Sequence, residues 1–220
     1  MKIEVDRLIE LLIKATGETL YMTLIALAIA GFIGLVVGVL LYTTRSGGLL
    51  QNRPVYWVLN IIVNTFRPIP FIILFVAIGP LTRAVLGTTI GLQAATFTIC
   101  IAAVFGISRI VEQNLVATDP GVIEAAKAMG ASPVRIIATV LLPEALGPLI
   151  LGYTFVIVAI VDMSAMVGAM GGGGLGDFAL QYGYQRYDWV VTWITVAVII
   201  VLVQFTQLLG NALSRKVMRR

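Results

Sequence analysis

Apolar residues run through this chain in blocks long enough to cross a bilayer, separated by short polar segments. A hydrocarbon layer of ~30 Å needs about 20 helical residues at ~1.5 Å each. By that measure the pattern predicts five spans, at about residues 20–42, 57–78, 90–107, 146–170 and 190–209. Ahead of them, residues 1–18 mix Lys2, Arg7 and Lys14 with Glu4, Asp6, Glu10 and Glu18, while Leu8, Leu11, Leu12 and Ala15 recur at helical spacing. That stripe predicts an amphipathic helix lying in the membrane interface. It is expected to be retained, because the apolar run behind it is too long for a signal-peptide core. The fold class expected is an all-α integral membrane protein, with one transmembrane domain over residues 1–220.

The second block is interrupted by Arg67-Pro68-Ile69-Pro70. Neither half is long enough to cross alone, so the pattern predicts one broken span hinged at Pro68 and Pro70. Each proline lacks an N–H, and the carbonyls left free must face protein or water. This argues for a pathway cavity beside Asn64 and Arg67. The competing reading, in which Arg67 snorkels to the headgroups and the prolines only set a kink, stays open. Gly34 and Gly38 form a GxxxG in the first block, which is either a close intrachain contact or without special role.

Between the third and fourth blocks lies the longest polar segment, residues 112–144. Asp119-Pro120 is an N-cap and first-turn pair, Gly130 is placed to end that helix, and Ser132-Pro133 starts a second helix that Pro143 is expected to close. A plain connector needs only a few residues. A loop with two capped helices of its own is expected to touch something other than lipid.

The fourth block carries Asp162 and runs into Gly171–Gly174 and Gly176. Gly171, Gly173 and Gly176 match G-x-G-x-x-G, but a dinucleotide site needs a strand before that motif, and here a membrane span precedes it. The P-loop spacing fails as well, since Asp177-Phe178 stand where Lys and Ser/Thr are required. Instead, the glycines allow a sharp bend, with Gly172, Gly174 and Gly176 as expected hinge positions. For Asp162 three readings stand: lining a wet pathway, carrying a proton in a secondary carrier, or pairing with Arg67 or backbone donors. Met163, Met166 and Met170, with Ser164 among them, suit a seal that opens and closes, or plain core filling.

Composition narrows the class further. With 59% hydrophobic and 12% charged residues in 220, there is too little polar surface to cover a soluble globule. Cys100 is the single cysteine and lies in an apolar run, so no disulfide framework is possible. There is no histidine, no metal site is expected, and no nucleophile–base pair or catalytic residue emerges. The net charge of +4 comes from bases at span ends, where they act as orientation signals and imply no nucleic-acid partner.

The polar segment also resembles a family signature. Glu124-Ala125-Ala126, Gly130 and Leu142-Pro143 match E-A-A-x3-G-x9-I-x-L-P, the EAA loop of bacterial ABC-importer permease subunits, with Val140 in place of Ile. Phe66, Arg67 and Pro70 resemble the F-R-x-x-P element of amino-acid importer permeases, and Gly173–Gly176 resembles a segment common to amino-acid and betaine-type importers. Ser164-Ala165-Met166 resembles the S-A-M of methionine importer permeases. The likeness to that subfamily extends over Gly17-Glu18-Thr19-Leu20, Gly38–Tyr42, Phe66–Leu74, Gly91–Ala95 and Gln181–Tyr184, so the chain is identified as a member. Asp162 departs from the pattern, which has a small or uncharged residue there.

The resemblance implies a homodimer in the bacterial inner membrane, two cytoplasmic ABC ATPase subunits, and an extracytoplasmic substrate-binding protein delivering methionine. Docking would involve Glu124, Ala125, Ala126, Met129, Gly130 and Pro143. No cofactor is implied on this chain; ATP and Mg would sit on the partner ATPase. The alternatives are a permease for another small amino acid or betaine-type solute, and a proton-coupled secondary carrier using Asp162. With the EAA loop inside, nine bases face the cytoplasm (Arg45, Arg53, Arg109, Lys127, Arg135, Arg215, Lys216, Arg219, Arg220) and five face outward (Lys2, Arg7, Lys14, Arg83, Arg186). That imbalance favours an outside N-terminus and a cytoplasmic C-terminus.

Overall fold

A computed structural model describes residues 5–218. Lys2 and Glu4 of the expected interfacial helix, and Arg219 and Arg220 of the basic tail, lie outside the described residues. Among the described residues there are helices and connecting turns and no strand.

The first helix, α1, runs unbroken from Val5 to Thr44, 40 residues or about 60 Å at ~1.5 Å per residue. The expected division into an interfacial helix ending at residue 18 and a separate span is absent. The stripe explains why: Ala15 is buried with Leu175, Phe178 and Val191, and Leu8, Leu11 and Leu12 pack on the same cluster. Along this stretch the face that bears the stripe meets protein, and the helix continues straight through residue 18.

Two short helices follow, α2 (Arg53–Phe66) and α3 (Phe71–Ala77), separated by Arg67–Pro70, and then α4 (Gly79–Leu86). Asn52 caps α2, its side-chain oxygen accepting from the Val55 N–H at 3.2 Å. The remaining elements are α5 (Leu92–Val116), α6 (Pro120–Ala128), α7 (Pro133–Ile136), a π-helical turn (Ile137–Leu141), α8 (Leu142–Val167), a second π turn (Gly168–Gly172), α9 (Gly174–Phe178), a third π turn (Ala179–Gly183), a 3-10 turn (Tyr184–Arg186) and α10 (Trp189–Met218). Four helical stretches are long and apolar enough to cross a membrane: Val5–Thr44, Leu92–Val116, Pro133–Gly172 and Trp189–Met218. The pair α2 and α3 adds a fifth only when taken together as one broken span.

The chain forms two compact units. The first gathers the described part of Met1–Ala30 with Ile69–Ala103 and Ile157–Thr206. Its core is the cluster around Leu175 and Phe178. The second gathers Gly31–Pro68, Val104–Val156 and the described part of Gln207–Arg220. Here the GxxxG of α1 has a definite role, because a Cβ on Gly34 would fall 2.6 Å from Ile107 Cγ2, and one on Gly38 would fall 2.6 Å from both Ser108 O and Val111 Cβ. The two glycines admit α5 to backbone distance. The Tyr153 hydroxyl donates to Gly31 O of α1 at 2.7 Å. The Ser214 hydroxyl donates to Gly147 O at 3.0 Å and ties α10 to α8.

Placing Ala at position 38 is therefore expected to push α1 off α5 and destabilise the protein by about 1–3 kcal/mol. Gly17, where an added Cβ meets nothing within 4 Å, provides the control. Gly17→Ala should be neutral or slightly stabilising through helix propensity. Thermal unfolding in detergent checks the pair, and equal midpoints for the two variants would contradict the close-packing role of Gly38.

Candidate functional site

The polar segment between α5 and α8 folds locally by its caps. Asp119 Oδ1 accepts from the Gly121 N–H at 2.8 Å, and Pro120 fills the first helical position. At the other end Gly130 takes a left-handed φ of +78°. Its N–H reaches Lys127 O at 2.9 Å, and the Ala131 N–H reaches Ala126 O at 3.1 Å, closing both orphan carbonyls as a Schellman motif. Ser132 starts α7, its hydroxyl accepting from the Arg135 N–H at 3.4 Å. The expected stop at Pro143 is not there. The Leu142 N–H bonds to Ile137 O, five residues back, and this π turn carries the helix into α8, whose second residue is Pro143. The run passes over Pro143 by way of this π turn and continues to Gly172.

The faces of α6 are sharply divided. Ile123 and Ala126 are buried, next to α7 and the π turn that bears Leu141. Glu124, Ala125, Lys127 and Met129 are exposed, with Met129 82% exposed and Val134 of α7 69%. Of the six residues expected at a docking surface, Ala126 is buried within its own chain. Glu124, Ala125, Met129, Gly130 and Pro143 are exposed.

The glycine stretch breaks the helical run within the first unit. Met170 sits at φ −106°, ψ 19°, and Gly171 at φ +82°, where the regular helix ends. Gly173 and Gly174 follow at +78° and +81°. Of the three expected hinge positions only Gly174 has left-handed φ; the bend is made by Gly171, Gly173 and Gly174. Gly172 and Gly176 serve close approach instead. A Cβ on Gly172 would fall 2.7 Å from Val167 O and 2.9 Å from Ala95 Cβ, and one on Gly176 would strike the Ala165 backbone. After the bend, the Gly174 N–H donates to Glu18 Oε2 at 2.7 Å and the Leu175 N–H to Thr19 Oγ1 at 2.9 Å.

Around this bend the structure sorts the other pathway candidates. Met166 is 42% exposed and Met163 half-buried, while Met170 lines a cavity of about 550 Å³ with Phe75, Val76, Arg83 and Ile90. Ser164 is buried and its hydroxyl donates to Val161 O of its own helix at 2.7 Å, so it faces no pathway in this chain. Asp162 is exposed and makes no hydrogen bond or ion pair among the described residues. Arg67, Pro68 and Pro70 are likewise exposed.

In the second unit Asn64 does not stand alone. Its Nδ2 donates to Asn60 Oδ1 at 3.0 Å, and Arg109 Nη2 donates to Asn60 Oδ1 at 3.0 Å and to Asn64 Oδ1 at 2.6 Å. Arg109 also pairs with Glu112, whose side chain is 9% exposed. This network joins α2 to α5, assisted by the stacking of Phe66 on Phe105 at 5.1 Å. Sequence reasoning missed it, and missed Glu18 and Thr19, because the partners are 45 to 156 residues apart. The available signal was two carboxylates and four other polar side chains set in or beside apolar runs, each of which needed a partner.

A family model described as binding-protein-dependent transport system inner membrane component matches residues 34–219. The probable D-methionine transport system permease protein MetI of Vibrio cholerae is 46% identical over 211 residues, covering 96% of this chain and 94% of that one. The D-methionine transport system permease protein MetI of Escherichia coli is 47% identical over 158 residues, 72% of this chain and 73% of its own. A solved structure of the MetNI methionine ABC transporter in an inward-facing conformation matches with a TM-score of 0.93 at 43% identity, over 97% of this chain and 99% of that one. With four long apolar helices, a capped polar loop bearing the EAA residues and a family match over most of its length, the chain belongs to the inner membrane components of binding-protein-dependent transport systems.

Proposed function

We propose that two copies of this chain form the translocation pathway of an ABC importer for methionine. Each copy docks through α6 onto one cytoplasmic ATPase subunit, and an extracytoplasmic binding protein delivers the substrate. The observation that carries this reading is the similarity, over more than nine-tenths of both chains, to a D-methionine permease and to the permease-like chain of a methionine ABC transporter structure. The exposed surface around the α6–α7 turn supports the docking step, because Met129 at the end of α6 and Val134 of α7 place apolar side chains on a polar loop where water alone would meet them. ATP and magnesium belong to the partner subunit. This chain contributes the path and the mechanical link.

The N-terminus lies outside and the C-terminus in the cytoplasm, as the distribution of bases favours. Closure of the ATPase dimer on ATP carries α6 with it, since α6 is fixed to its own chain by Ile123 and Ala126. From there α8 begins one π turn after α7 and runs as a single helix to the bend at Met170. Helical continuity from docking loop to bend gives a nucleotide-dependent state at one end a route to a gate state at the other. Met166, exposed on one chain, meets its copy across the dimer axis and seals the path.

Three measurements follow. Ala125→Trp or Met129→Asp should leave the permease inserted yet weaken ATPase binding by about 2 kcal/mol, roughly 30-fold; copurification of the ATPase at wild-type yield would oppose docking by this face. Met166→Cys in a Cys100→Ser background should crosslink between copies in the resting state and block uptake, while Met166→Ala hydrolyses ATP with poorer coupling. Failure of short bifunctional reagents to crosslink, with normal coupling in Met166→Ala, returns Met166 to ordinary packing. For Asp162, Asp162→Asn should retain ATP-driven uptake, and a protonophore should not alter initial rates with ATP maintained; immediate collapse would instead point to proton coupling.

A further inference from the structure

The bend at Met170–Gly174 interrupts the helical hydrogen-bond ladder, so the first N–H groups of α9 have no acceptor on their own helix. Those of Gly174 and Leu175 are satisfied by side chains of α1, the carboxylate of Glu18 and the hydroxyl of Thr19. Thr19 is 2% exposed and Leu175 1%, so water is no substitute at that pair. The absence of side chains after the bend serves the same contact. A Cβ on Gly173 would fall 2.7 Å from Glu18 Oε2, and one on Gly174 would fall 2.8 Å from Thr19 Oγ1 and from Met22 Cε. Two adjacent glycines and two adjacent polar residues far apart in the sequence thus occupy one another's space.

We infer that Glu18 and Thr19 are positioning residues for the gate: together they latch the bent form of the Met170–Gly174 segment, and transport requires that latch to release and re-form. The inference rests on the gate reading proposed above. Its physical basis is that the two acceptors are used only while the chain is bent; a form in which the helix of α8 runs on would make its own i→i−4 bonds and leave Glu18 and Thr19 free. Contacts present in one of two states shift the balance between them by their own strength, and a charge-assisted bond to a backbone N–H is among the stronger ones. Lys14, 3.7 Å from Glu18 on the same helix, is 74% exposed and keeps the other carboxylate oxygen oriented. Glu18 also lines a cavity of about 360 Å³ beside the glycine run, so the latch is open to a partner or solute arriving at that surface.

The test uses the complete importer in proteoliposomes, with Glu18→Ala, Glu18→Gln and Thr19→Val. Two quantities are read: amide hydrogen exchange in the peptide spanning residues 171–178, and methionine taken up per ATP hydrolysed. Loss of the carboxylate should speed exchange by about tenfold to a hundredfold and lower the uptake-to-hydrolysis ratio severalfold. Glu18→Gln keeps an acceptor and should recover most of both. Thr19→Val preserves shape and should give a smaller change of the same sign, which keeps the proposal testable if Glu18→Ala does not assemble. Unchanged exchange in Glu18→Ala and Thr19→Val overturns the latch. So does faster exchange with a wild-type ratio while Met166→Ala uncouples, since the gate then stands without it. Faster exchange with a fallen ratio, in an importer where Met166 neither crosslinks nor uncouples, removes Met166 from the gate and leaves the latch in place.

Discussion

Hydrocarbon offers no partner to a backbone N–H or C=O, so every interruption of a membrane helix has to be completed from within the chain. This one constraint organises the structure. Where the chain stays helical, its hydroxyls turn back on their own carbonyls, as Thr23, Thr43, Thr96, Thr98, Ser108, Thr154, Thr195 and Thr206 do. Among the described residues, Thr118 Oγ1 is the one fully buried side-chain oxygen or nitrogen without a partner. Where the helix breaks, the repair is specific. A π turn carries the chain over Pro143, a Schellman motif closes α6, and side chains from α1 complete the bend before α9.

The same constraint explains what could be read in the sequence. The caps of α6 and the start of α7 were legible because their signals are local: Asp119 and Pro120, Gly130, and Ser132 with Pro133 act within three residues of themselves. The five apolar blocks were legible for the same reason. What failed depended on distant partners or on finer register. The stripe Leu8, Leu11, Leu12 and Ala15 has the spacing of a membrane-surface helix, and the spacing is the same when the covering surface is Leu175 and Phe178. Pro143 looked like a helix stop because proline usually is one, whereas the π turn before it carries the run on into α8.

The small residues show how little composition says about role. Ala125 and Ala126 are neighbours in one motif, yet one is exposed and the other buried against its own chain, separated by 100° of helical rotation at about 3.6 residues per turn. The glycines after Met170 split in the same manner, three supplying left-handed backbone and two supplying closeness. A pattern of small residues says that something comes near. Only the structure says whether it is solvent, the helix before, or α1.

Local support is distributed unevenly along the chain. The polar loop is capped at both ends of α6, whose Ile123 and Ala126 are buried. By contrast, three left-handed glycines leave the bend few side chains of its own to hold it, and its conformation is decided by what is supplied from elsewhere. In the bent form the N–H groups of Gly174 and Leu175 find their acceptors on Glu18 and Thr19 of α1. Between the loop and the bend lies α8, 26 residues without a break despite Pro148. Beyond α8 the helical run ends at Met170 and Gly171, and the turn that follows is completed by acceptors from α1.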